Sequence, residues 1–130
     1  MFPFRGENNI GAAFLFRPYV SEYNKLYLLD VKFCSGFDVD DKQTITCRET
    51  GEYKINIIFL SWNVNYKHTW HCIINKNNHT LDTLTWSTTL KGEEYMINLN
   101  SGDTVSMGFT LLTKASDDKV YAIVILTKVQ

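Results

Sequence analysis

Residues 120–129 read VYAIVILTKV, a stretch that is apolar on both sides. Successive side chains of a strand point to opposite faces, so Tyr121, Ile123 and Ile125 share one side and Ala122, Val124 and Leu126 the other. A strand of this kind has to be covered on both faces. Much of the remaining chain alternates apolar with polar residues, as half-solvated antiparallel strands do. Its own core can therefore cover one face. The other face needs a further surface, and a second copy of the chain is the simplest. The expectation is a self-associating β-sandwich.

With 130 residues there is room for one domain, expected to span residues 1–130, with an irregular arm over residues 1–10 (MFPFRGENNI). Hydrophobic residues at 45% exclude a disordered chain, and aromatics at 14% favour β structure. The 13 basic and 14 acidic residues leave a net charge of −1, and no basic run occurs. The electrostatic footprint of a nucleic-acid or anionic-membrane partner is missing. No apolar run approaches the ~20 residues that cross a bilayer. Residues 1–11 lack the basic-then-apolar pattern of a secretory leader. The expected setting is extracellular or a particle surface, with the chain either a domain of a longer secreted or anchored protein or a component of a virus or phage. A cytosolic product is the remaining reading.

No window of about a dozen residues shows a helical period, whereas short alternating runs recur. Ala12–Phe16 reads as a strand stopped by Pro18. Leu26–Phe33 (LYLLDVKF) suits a strand or a single helical turn, and Gly36–Asp41 reads as a loop. Gln43–Cys47 is a short strand, Glu49–Glu52 a turn and Tyr53–Asn63 a long strand. Thr69–Ile74 and Thr80–Thr88 flank a turn at Asn75–Asn78. Tyr95–Leu99 and Thr104–Leu111 flank a turn at Ser101-Gly102-Asp103. Short strands at this spacing indicate a sandwich or barrel and not a βαβ fold.

Signals for chemistry are weak. His68 and His71, three apart in a strand, point to opposite faces and cannot chelate one ion, while His79 falls in a loop. Asp38, Asp40 and Asp41 on one loop, and Asp117 with Asp118 on another, are candidate calcium ligands, but EF-hand spacing is absent and a solvated acidic loop explains them as well. Cys34, Cys47 and Cys72 are an odd set without a CxxC pair; Cys72 reads as a buried thiol, and one disulfide between two of the three stays open. No nucleophile elbow, dinucleotide fingerprint or phosphate loop is present, and Glu93 and Glu94 point apart on a strand. An enzyme is not expected, and no cofactor other than calcium is suggested. Trp62 and Tyr66 border a turn and are candidate exposed aromatics for stacking on a sugar, whereas core packing suits most of the tryptophans Trp62, Trp70 and Trp86 better. Asn78-His79-Thr80 is an N-glycosylation sequon, meaningful on a secreted chain.

Three segments, in their order and separation, resemble the tumour necrosis factor and complement C1q superfamily of jelly rolls. Thr50-Gly51-Glu52-Tyr53 leads into a long apolar strand similar to that family's Gly-x-Tyr strand. Leu99-Asn100-Ser101-Gly102-Asp103-Thr104-Val105 is similar to its glycine-aspartate turn and following strand. Lys119–Leu126 is similar to its closing strand. Ala12-Ala13-Phe14 and Cys72–Asn77 fit its opening strand and mid-domain turn. The resemblance implies a two-sheet antiparallel jelly-roll sandwich assembled as a homotrimer, acting as a recognition module for a protein receptor or a surface glycan. A receptor-binding or structural protein of a virus or phage, such as a fibre tip, is the alternative it allows. It also implies that Tyr121, Ile123 and Ile125 face the three-fold axis together with Lys54, Asn56, Ile58 and Leu60, while Tyr53, Ile55, Ile57 and Phe59 turn to the core. Lys54 and Asn56 depart from the apolar residues usual there. A buried unpaired lysine is costly, so this part of the axis is expected to be wet or salt-bridged between protomers.

Overall fold

The structure is a computed structural model and describes residues 10–19, 22–40, 44–61, 68–88, 90–112 and 120–129. Ten strands and no helix occur among the described residues: β1 (Gly11–Tyr19), β2 (Glu22–Ser35), β3 (Phe37–Val39), β4 (Ile45–Cys47), β5 (Gly51–Ser61), β6 (His68–Lys76), β7 (His79–Thr88), β8 (Leu90–Leu99), β9 (Thr104–Leu111) and β10 (Val120–Lys128). Neighbouring strands are antiparallel throughout. One layer runs β2-β1-β10-β5-β8, and the other runs β3-β4-β9-β6-β7. They share a seam of two register pairs, Lys25 with Thr110 and Leu26 with Phe109. The expected all-β jelly-roll sandwich is the observed architecture.

The core forms where the alternating apolar positions of the two layers meet. Phe14, Ile55, Ile57, Phe59, Val124 and Leu126 come from one layer and Trp70, Cys72, Ile74, Val105, Phe109 and Leu111 from the other, all almost wholly buried. Aromatic rings bridge the layers edge to face. Phe16 and Phe59 meet Phe109 with ring centroids 4.9 and 5.8 Å apart, and Phe37 meets Tyr53 at 5.3 Å. Phe59 also lies 4.7 Å from Trp70 in a tilted arrangement. Contacts of this geometry add roughly 0.5–1.5 kcal/mol each beyond the area they bury. Burial alternates along β5 from Glu52 and along β10 as far as Thr127, as the period of two requires.

Three local expectations are corrected, and the alternative left open for Leu26–Phe33 is resolved. β1 continues through Pro18 to Tyr19, because beyond Phe16 it pairs, among the described residues, with β2 alone, and a proline lacking its N–H is tolerated where one edge is open. Leu26–Phe33 belongs to a strand. Register shifts between Ala13 and Phe14 and between Leu15 and Phe16 break its alternation, which is why its sequence looked ambiguous. Within the segment expected to be loop, Phe37–Val39 pairs with Ile45–Cys47 and places the Phe37 ring in the core. His79, expected in a loop, opens β7 opposite Lys76.

Gly36 links β2 to β3 with φ of +88°, and a Cβ added there would lie 2.4 Å from Ile10 Cγ2. Strain and overlap act together. Gly36→Ala is expected to lower stability by about 1–3 kcal/mol in denaturant unfolding, with Ile10→Ala relieving the overlap but not the backbone part.

One end of the sandwich is closed by hydrogen bonds between turns. Gly102, φ +93°, occupies the third position of the Asn100–Asp103 turn, where a type II turn needs a positive φ. Asp103 accepts from the Asn100 N–H at 2.8 Å and from the Asn77 amide at 3.0 Å, with Lys76 Nζ at 3.7 Å. Asn77 in turn accepts from the Thr104 N–H at 2.9 Å. The backbones of Cys47 and Asp103 are bonded at 2.9 Å. These bonds, the Asn100 N–H first, hold the Asp103 carboxyl below its usual range. A depressed folded pKa contributes stability above the unfolded value near pH 4 and loses it as pH falls further. Stability is therefore expected to be flat from about pH 7 to 5 and to fall below about pH 4. In Asp103→Asn the acid-side slope should be shallower, not absent, because Asp30 and Asp38 are depressed as well. Thermal unfolding across that range checks this.

Candidate functional site

β10 is hydrogen-bonded to β1 on one edge and to β5 on the other, so its outward side chains sit at the centre of a continuous face. The register gives the face in rows. Ala13, Ile125, Asn56 and Glu94 lie side by side across β1, β10, β5 and β8. Leu15, Ile123, Ile58 and Gly92 form the next row, and Tyr121 lies beside Leu60 in the third. Tyr121, Ile123, Ile125, Ile58 and Leu60 are half-buried by their lateral neighbours, while the alternate residues Ala122, Val124, Ile57 and Phe59 are in the core. With strands ~4.8 Å apart and same-face residues ~6.8 Å apart, these rows cover on the order of 400 Å². Patches of that size on soluble proteins are often functional. Ala13 and Leu15 join the face through their pairing with β10, a register the β1 sequence does not reveal.

The polar end of the face is organised by Lys54. Its Nζ lies 3.6 Å from Glu94 Oε1, a diagonal cross-strand pair between β5 and β8, with Asn56 directly opposite Glu94. Nothing in the sequence around Lys54 supplies it with a partner inside its own chain, and the pairing of β5 with β8 does. Glu94 is two-thirds exposed, so the pair is weak in water. Met96, opposite Lys54, is 47% exposed.

The remaining candidates are dispersed. Trp62, Tyr66, Asp41, Asp117 and Asp118 lie outside the described residues. Asp38 is engaged by Arg48, whose Nε donates at 2.9 Å and whose Nη2 also contacts it, and this bond holds the carboxyl below the usual carboxylate range. Asp40 accepts from the Thr44 N–H at 2.9 Å. Glu93 lies opposite Ile57 and Glu94 opposite Asn56, so the two carboxylates take opposite faces. His68 is buried, His71 is hydrogen-bonded to Thr85 at 3.2 Å on the outer side, and His79 is exposed. Among the described residues no group of three or more His, Cys, Asp or Glu side chains could hold a metal ion, and no helix is long and apolar enough to cross a membrane.

All three cysteines are free. Burial pushes the Cys72 thiol up to about 12, and Cys47, also buried, donates to the Glu49 carbonyl at 3.0 Å. Cys34 is exposed. Thiol titration of the native protein is expected to find Cys34 alone, with Cys47 and Cys72 reacting only after unfolding.

No protein-family model and no curated protein matches the chain. Solved structures do. The fold superimposes on the globular domain of zebrafish complement 1qA protein with a TM-score of 0.61 at 14% identity, over 95% of this chain and 98% of that one. It superimposes on murine APRIL with a TM-score of 0.56 at 10% identity, over 92% of this chain and 99% of the other. The chain is built on the jelly-roll fold of tumour necrosis factor and C1q-like domains.

Proposed function

We propose that this chain is a homotrimeric recognition module that associates through the outer face of β1, β10 and β5 and binds a protein receptor or surface glycan with its outer loops and the grooves between protomers. The observation that carries the reading is the apolar face centred on Ile123, opposite a core that is already complete. Water contact with Tyr121, Ile123, Ile125, Ile58 and Leu60 is unfavourable by ~25 cal/mol for each Å² of apolar surface, and a copy of the chain supplies matching surface. The likeness in fold to C1q and tumour necrosis factor-like domains, whose resemblance implies packing of this sheet about a three-fold axis, supports the same assembly. In that arrangement the Lys54–Glu94 pairs edge the interface. Trp62 and Tyr66, which follow β5, are the aromatics proposed for ligand contact. An extracellular or particle-surface setting suits such a module.

Sedimentation equilibrium at micromolar concentration is expected to give a trimer. Ile123→Asp and Tyr121→Asp each place an unpaired charge in the interface, at a cost of several kcal/mol, and should yield folded monomers, since neither side chain enters the core. A wild-type chain that stays monomeric would overturn the assembly. A trimer that survives both substitutions would show that another face carries it.

A further inference from the structure

The β6–β7 hairpin turns on two adjacent asparagines that the structure uses in different ways. Lys76 pairs with His79, which leaves Asn77 and Asn78 as a two-residue turn, with φ of +51° and +66°. These are the values of a type I′ turn, whose twist suits a hairpin and whose second position favours glycine. Asn77 is fixed at both ends of its side chain, donating to Asp103 and accepting from the Thr104 N–H. Asn78 is exposed, and its side chain makes no hydrogen bond or ion pair with another described residue. It also begins the one Asn-x-Thr sequence here whose middle residue is not proline, Asn78-His79-Thr80. Asn77 begins no such sequence, because His79 stands where the hydroxyl residue is needed.

We propose that Asn78 is an N-glycan acceptor, modified when the chain passes through a secretory compartment. The co-reactant is a lipid-pyrophosphate-linked oligosaccharide. The Asn78 amide nitrogen attacks the anomeric carbon of the reducing-end sugar, the new N–C bond forms and the C–O bond to phosphate breaks. The lipid pyrophosphate leaves with the bonding electrons, and the amide gives up one proton. In the closed hairpin the Thr80 hydroxyl is bonded to Asn75 Oδ1 at 3.0 Å, so transfer takes place on the chain before the hairpin closes. Once the hairpin has closed, the glycan projects from an exposed tip without displacing a core residue. β6 and β7 belong to the layer opposite the proposed self-association face, which the glycan therefore leaves open. The modification does not depend on the trimer reading.

The test is the intact mass of the full chain secreted from eukaryotic cells behind a cleavable leader, read on denatured protein so that assembly does not enter. The expected result is a mass increment of one glycan, removed by peptide N-glycanase with conversion of Asn78 to Asp. Asn78→Gln and Thr80→Val should lose the increment, while Thr80→Ser and Asn77→Gln keep it. Secreted wild-type protein of unmodified mass, or an increment that persists in Asn78→Gln, overturns the proposal.

Discussion

Everything in this fold depends on a strand that can give neither its edges nor its faces to water. β10 is paired on both edges, with β1 and β5, and is apolar on both sides. Its inward residues Ala122, Val124 and Leu126 are fully buried, which forces the second layer to lie across it. The pairing aligns Phe14 with Val124 and Val124 with Ile57, so the inward residues of three strands reach the core at one level. Aromatic rings from β9 and β6 then fill the gap between layers. The outward residues line up by the same register, and the patch on the far side follows from the way the core is built.

Legibility in the sequence followed the length and regularity of alternation. β5, β9 and β10 are strands of eight or more residues in which burial alternates over most of the length, so the period separates their two faces, and the family resemblance says which face of β5 and β10 meets the core. The Asn77–Asn78 and Gly102 turns were legible because few residues tolerate positive φ. β2 was not, since its register shifts place consecutive apolar residues where a regular strand would alternate. β3 is three residues long, too short to show a period, and Pro18 misled because its tolerance depends on which edge of β1 is open. On the candidate face, the residues of β5 and β10 could be read from the sequence. Ala13, Leu15 and Glu94 could not, because each joins through pairing between strands far apart along the chain.

Lys54 illustrates the same limit. Considered on β5 alone it is a charge beside Asn56, Ile58 and Leu60 with nothing to offset it. The pairing of β5 with β8 brings Glu94 to within 3.6 Å. Cross-strand partners of this kind depend on register, and register is set by the cumulative pairing of a whole strand, not by any local motif.

The central place of β10 also sets an order of events during synthesis. β1 and β5 are made early, yet each finds its shared neighbour only when residues 120–128 exist. Until then the layer has a gap where its middle strand belongs, and two strands present unpaired edges next to apolar surface, the arrangement most prone to wrong pairing. Closing that gap joins segments about a hundred residues apart, which makes folding slow for a chain of this size. The nascent chain is thus most exposed to aggregation just before its final strand is available, and the same strand that completes the core ends that exposure.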